Sequence, residues 1–231
     1  METLFIEFRL HGYARKYAKR LIFDIARKFH VKGVTRKRPV PHITLIAPFR
    51  TNNRKEVIRR IGGVCKKYTL VPFKLQGFNY FDKVNKVIYL DIAPSVTLKK
   101  FRNELSKAIN DISGISVYTK MDFKFHVTLA FKDIDDKFEK IWEYICSVQE
   151  PDIKQHLLRV TLQGKGGGII SEYDLLLKKF LNKKQSLSGV WWRRTIIVLK
   201  NKSGSTEECK RDSLPKPVKK GISIFGIKIR F

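Results

Sequence analysis

The 231-residue chain carries 48 Lys and Arg against 21 Asp and Glu, a net charge of +27, and the partner this calls for is a polyanion. Its three cysteines, Cys65, Cys146 and Cys209, are far apart and form no CxxC or Cys/His cluster, which argues against a structural zinc site and for a reducing compartment. No stretch approaches the length of a membrane span, and Met1 to Phe5 lacks the basic start of a signal peptide, so a cytoplasmic, membrane-free monomer is expected.

Leu4 to Phe8 reads as a strand leading into a helix from Tyr13 to Phe29. In that helix Ala14, Tyr17, Ala18, Leu21, Ile22, Ile25 and Phe29 recur at three- and four-residue spacing and form one apolar stripe. A basic loop, Lys32 to Arg38, precedes a strand bounded by Pro39 and Pro41 and predicted to end at Pro48. A second helix places Val57, Ile58, Ile61, Val64, Cys65 and Tyr68 on one side, although Gly62-Gly63 weakens it. A strand from Val71 to Tyr80 follows.

The order then recurs. Val87 to Ile92 reads as a strand, and a helix from Ser95 buries Leu98, Phe101, Leu105, Ala108, Ile109 and Ile112. Lys124 to Phe131 is a strand, and a helix carries Phe138, Ile141, Trp142, Ile145 and Val148. Strands at Leu157 to Leu162 and Ile169 to Leu175 are joined by Gly164 to Gly168. That glycine run is not followed by a helix with GK[ST], so a hairpin is the reading and a P-loop is not. His42 follows Phe5 by 37 positions, and His126 follows Tyr89 by the same interval, which supports a strand-helix-strand-helix-strand unit present twice. The predicted organisation is a two-lobed domain over residues 1–178 with repeats at 1–82 and 83–178. After it come a basic helical extension at 179–200 and a linker and tail at 201–231. Within the extension and its approach, Leu176 to Lys184 and Trp191 to Lys200 read as basic helices.

Two short runs carry the chemistry: Pro41-His42-Ile43-Thr44-Leu45 and Phe125-His126-Val127-Thr128-Leu129. Residues i and i+2 of a strand share a face, so His42 and Thr44 look one way and Ile43 and Leu45 the other, and the second run repeats the arrangement. One such triplet is most often structural. Two copies at matching places in a repeated half, meeting on one concave surface, make a paired acid and base with two hydroxyl donors. Histidine suits both proton tasks near neutrality, and threonine hydroxyls can hold phosphoryl oxygens. Arg36, Lys37 and Arg38 before the first triplet, and Lys120 and Lys124 before the second, could contact flanking phosphates. Phe49 and Tyr80 could stack on a base but fit core or rim packing better. His11 is read as a surface residue, and His30 and His156 sit in no motif.

PHITLIAPF and FHVTLAF resemble the paired motifs of the 2H phosphoesterase superfamily, and within it the RNA 2′,3′-cyclic phosphodiesterase or 2′-5′ RNA ligase family. The resemblance covers residues 1 to 178 and includes the late VTLQGKGGGIISEYDLL hairpin. It implies an α+β, two-lobed fold of mainly antiparallel sheets, with helices on the outer faces and a central cleft. It implies opening of a 2′,3′-cyclic phosphate on RNA ends, including tRNA halves, to a 2′-phosphate, and reversible 2′-5′ joining, with no metal or cofactor. By the resemblance His42 and His126 become the acid-base pair and Thr44 and Thr128 the phosphate ligands; from their positions beside the two motifs, Arg38, Lys124 and Lys132 are the candidate substrate contacts. Many relatives place Arg soon after the second motif, where this chain has Phe131 and Lys132. Two other functions fit part of the sequence: a non-catalytic RNA-binding module, which explains the charge but not the paired triplets, and a repeat-processing endoribonuclease of the CRISPR type, which does not depend on two symmetric His-x-Thr strands.

Overall fold

A computed structural model describes residues 1–35, 39–82, 85–119 and 123–203. In chain order the elements are β1 (Glu2–Arg9), α1 (Gly12–Phe29), β2 (His42–Thr51), α2 (Arg54–Cys65), β3 (Val71–Phe81), β4 (Val87–Pro94), α3 (Val96–Asn110), β5 (His126–Phe131), α4 (Phe138–Cys146), β6 (Asp152–Leu157), β7 (Arg159–Gly164), β8 (Ile169–Asp174), β9 (Lys179–Leu181), α5 (Lys183–Leu187) and α6 (Gly189–Ser203). The strands form two sheets ordered β2-β1-β7-β8-β9 and β5-β4-β3-β6, and every pairing between them is antiparallel. This is the α+β, two-sheet architecture expected.

Local signals account for most boundaries. The α1 stripe buries Ala14, Ala18, Leu21, Ile22 and Ile25, while Tyr17 and Phe29 are half-buried against the core. The Asn53 side chain accepts the Glu56 N–H at the start of α2, and Ser95 accepts the Leu98 N–H at the start of α3, each satisfying a free helix donor. α2 runs through Gly62-Gly63, its face of Val57, Ile61, Val64 and Cys65 buried, and the Phe180 ring packs against Gly62. A Cβ on Gly62 would lie 2.9 Å from that ring.

The structure departs from the sequence reading at several places. β2 continues through Pro48 to Thr51, because β2 is an edge strand and Pro48 falls in the register shift between Ile46 and Phe49, where no ladder bond needs its N–H. The strand expected at Leu157 to Leu162 is two strands: β6 pairs with β3, and after Leu158 the chain crosses to the other sheet, where β7 pairs with β1. No helix spans Leu176 to Lys184. The Asp174 carboxylate accepts the N–H groups of Leu176 and Leu177, Lys178 adopts φ 54°, and β9 follows before a capping box at Asn182 and Gln185 starts α5. Finally, sheet membership does not follow the halves 1–82 and 83–178: β3 joins the second sheet, and β7, β8 and β9 return to the first. The β3–β4 hairpin is a local antiparallel pair, and it draws β3 away from β1 and β2. Against the linker and tail expected at 201–231, α6 continues through Ser203, and residues 204–231 lie outside the described residues.

One apolar cluster underlies both sheets, including Ile43 and Leu45 of β2 and Val127 and Leu129 of β5. β2 and β5 are the edge strands of their sheets and lie against each other. The approach to β2 is fastened to the end of β5: Asp133 accepts the Lys32 N–H at 2.6 Å and the Gly33 N–H at 2.8 Å. Gly33 comes so close that a Cβ there would lie 2.0 Å from the Phe131 carbonyl oxygen. Gly33→Ala is therefore expected to destabilise the chain by about 1–3 kcal/mol through backbone displacement, read as a lower urea midpoint with an unchanged slope.

Candidate active site

His42 and His126 are the first residues of β2 and β5, and the flanking backbone holds them in the same way. Nδ1 of His42 lies 2.8 Å from the Val40 carbonyl oxygen, and Nδ1 of His126 lies 3.0 Å from the Lys124 carbonyl oxygen. A carbonyl only accepts, so each Nδ1 carries the proton and donates it. With Nδ1 so engaged, Nε2 is the atom of each ring available for proton transfer. Both rings line a cavity of about 270 Å³ together with Thr128 and the apolar side chains of Val40, Phe81, Val87 and Phe131. Thr44 is half-buried on the same face of β2 as His42 and sits opposite Glu7 of β1.

The surroundings of the two histidines differ. Across β1, His42 faces Arg9, and the carboxylate of Glu7 lies 3.6 Å from its Nδ1. Glu7 is only 2% exposed and accepts a hydrogen bond from the Gln163 side-chain amide. Burial pushes the Glu7 carboxyl up, against the lowering effects of His42 and Arg9. His126 instead sits between the rings of Phe81 and Tyr89, each centroid 5.1 Å away. Burial pushes its imidazole below the ordinary 6.5, more than the Lys124 carbonyl restores, and the nearby charges of His42 and Lys124 push the same way. Asp91, opposite His126 on β4, opposes this, but its carboxylate is shared with the Lys124 ammonium at 2.7 Å.

Lys124 thus stands beside His126 in an ion pair. Lys132 has φ 75° at the end of β5, and its ammonium folds 5.0 Å over the Phe131 ring. Arg38, with Arg36, Lys37 and Lys120, lies outside the described residues. Phe49 is buried in the core, and Tyr80, 38% exposed, packs edge-on against Phe138 and Trp142. The glycine run closes the β7–β8 hairpin, with the Gly164 N–H donating to the Gly168 carbonyl. His11 is not a surface residue: its Nε2 meets the His156 carbonyl oxygen at 3.1 Å, its ring lies 5.7 Å from Trp192, and burial pushes its imidazole down.

The sequence reading missed a buried ionic cluster beside the site. Arg159, 1% exposed, donates through Nε to Asp174 at 2.9 Å, through Nη1 to Glu172 at 3.2 Å and through Nη2 to the Thr195 hydroxyl at 2.7 Å. Glu172 also accepts from Thr161 at 2.7 Å and pairs with Arg9. Among the described residues no three His, Cys, Asp or Glu side chains gather as metal ligands do. Among those residues, too, no helix is long and apolar enough to cross a membrane.

The sequence model of the 2′-5′ RNA ligase superfamily matches residues 16–167, more than half of the chain. The chain belongs to this superfamily. A phosphoesterase by name from Geobacillus sp. (strain WCH70) is 30% identical over 130 residues, which cover 55% of this chain and 66% of that protein. Another from Bacillus licheniformis is 30% identical over 105 residues, covering 44% and 58%. The chain therefore spans less than two thirds of the length of either. Among solved structures, a phosphoesterase crystal structure has a TM-score of 0.47 at 14% identity, covering 78% of this chain and 93% of that one. Escherichia coli LigT complexed with phosphate gives 0.46 at 14% identity, covering 75% and 96%. Kluyveromyces marxianus Usb1 gives 0.42 at 9%, covering 70% and 93%. At these scores the structural likenesses carry no argument; the assignment rests on the family match. Membership makes this a phosphoesterase-family chain, with the two His-x-Thr strands inside the matched range.

Proposed function

We propose that this chain opens the 2′,3′-cyclic phosphate of an RNA end to a 2′-phosphate and can join ends through a 2′-5′ bond. The observation that carries this reading is the matched pair of imidazoles, each fixed through Nδ1 and each turned into one small cavity. His126, held neutral by burial, takes a proton from the attacking water through Nε2. His42, with the Glu7 carboxylate behind it as a counter-charge, gives a proton to the departing 3′ oxygen. The bond from phosphorus to O3′ breaks as the bond to the water oxygen forms, leaving a 3′-hydroxyl and a 2′-phosphate. A 5′-hydroxyl in place of water gives the 2′-5′ linkage by the same transfers. Thr44 and Thr128 donate to the non-bridging oxygens, where charge builds in the transition state.

The test is a short RNA ending in a 2′,3′-cyclic phosphate, incubated with the protein in EDTA, with the terminal phosphate then identified. A 2′-phosphate is expected; an untouched end or a 3′-phosphate overturns the reading. The pH profile adds a second check. A base works deprotonated, and burial lowers the His126 pKa, so the acid limb of kcat/KM should fall below pH 6.5. Phe81→Ala, which admits water beside the ring, should move that limb upward.

A further inference from the structure

The strand registers place an unexpected set of residues on the cleft side of the first sheet. Thr44 faces Glu7, Glu7 faces Thr161, Thr161 faces Glu172, and Arg159 faces Asp174. Directly opposed residues of antiparallel strands point to the same side. Arg159, Thr161, Glu172 and Asp174 therefore share a side with His42 and Thr44, yet none is more than 1% exposed. Thr161 and Glu172 are held against each other and against Arg9 and Arg159, while α6 lies over Arg159 and Asp174. Its Thr195 hydroxyl accepts from Arg159 and donates to Asp174 at 2.5 Å, and the Trp192 ring covers the Arg159 guanidinium at 3.9 Å. α6 is thus a wall seated by a buried ion cluster over the β7–β8 end of the sheet that carries His42, and its Trp192 ring lies 5.7 Å from His11 at the end of β1.

The wall has an uncommon composition. From Leu176 to Ser203 there are eight Lys and Arg and no Asp or Glu. Arg193, Arg194 and Lys202 of α6 are exposed, and Lys179 and Arg194 flank the Trp191 ring at 4.0 and 4.7 Å. The segment begins beyond residue 167, where the family match ends, so it is a feature of this chain and not of the matched region. The cavity at the histidines, about 270 Å³, has room for no more than the end of an RNA chain. The rest of a longer RNA has to leave the cavity over the neighbouring surface, and α6, roughly 22 Å long, offers exposed cations there with no carboxylate of its own to repel phosphate.

We propose that α6 is a binding surface for the RNA backbone, taking the phosphates of nucleotides next to the reactive end. The proposal rests on the RNA-end reading above for the identity of its ligand, so binding and turnover are measured separately. The variant Arg193→Glu/Arg194→Glu/Lys202→Glu changes only exposed side chains, and circular dichroism checks that it folds. Fluorescence anisotropy with a single-stranded oligoribonucleotide ending in a plain 3′-hydroxyl reads the wall without any chemistry. Affinity should fall about tenfold or more at low salt, and the slope of log K against log salt should flatten by about 2, as expected for three lost phosphate contacts on a single strand. In turnover, kcat/KM for a cyclic-phosphate oligonucleotide relative to a 2′,3′-cyclic mononucleotide should drop about tenfold. Unchanged affinity and salt slope overturn the wall. If the wild type binds the oligonucleotide through these residues but opens neither cyclic phosphate, the catalytic reading falls and the wall stands.

Discussion

His126→Ala and His42→Ala are each expected to lower kcat/KM on a cyclic-phosphate RNA by about 100- to 10,000-fold, the usual contribution of one positioned proton transfer. The double variant should be little worse than the poorer single one, because an acid without its base cannot complete the exchange of protons. Folding should barely change. Each substitution frees one backbone carbonyl, that of Val40 or Lys124, at the rim of an open cavity where water can replace the imidazole, so the expected cost is about 1 kcal/mol. The two variants should differ in their pH profiles: loss of His126 should abolish the acid limb assigned to it, whereas loss of His42 should keep that limb. Near-normal turnover in either variant would eliminate the paired-histidine mechanism.

Those histidines were legible because strand parity is a local rule. Two residues apart on a strand means one face, whatever the sheet does next, and Ile43, Leu45, Val127 and Leu129 are buried while His42, Thr44, His126 and Thr128 are not. Helix stripes such as Ala14 to Ile25 were legible for the same reason. Sheet membership was not, because it depends on which edge a strand finds after a turn, and nothing within Leu157-Leu158-Arg159 marks the passage from one sheet to the other. The Leu176 to Lys184 segment read as a helix on its apolar spacing, but Asp174 captures the two following N–H groups and bends the chain first. The environment of the site escaped for a different reason. Glu7 and Arg9 alternate with Ile6 and Phe8, so parity puts both charges on the face opposite the core, but only the fold shows that Arg159, Glu172 and Asp174 come from distant segments to bury them.

The largest effect on stability is expected at Arg159. Its guanidinium touches Glu172, Asp174 and Thr195 together, and the Trp192 ring lies on its face. Arg159→Leu keeps the bulk but leaves the buried Asp174 carboxylate without its cation and Glu172 with Arg9 alone, in a region with almost no solvent contact, which should cost about 3–5 kcal/mol. Arg159→Lys keeps the charge but not the fork that spans three partners, so it should lie between Leu and wild type. Thr195→Val removes only the helix side of the cluster and should cost about 1–3 kcal/mol. A double-mutant cycle on urea unfolding then separates two outcomes. If Arg159 and Thr195 couple strongly, the cluster is the seat of α6 and its loss frees the wall from the sheet. If their effects simply add, α6 is held by its apolar side, and the ion cluster stabilises the sheet alone. Coupling is the expected result, because the Thr195 hydroxyl lies between Arg159 and Asp174, accepting from one and donating to the other. The same loss should reach the histidines: Glu172, freed from Arg159, keeps its pair with Arg9, which stands directly opposite His42.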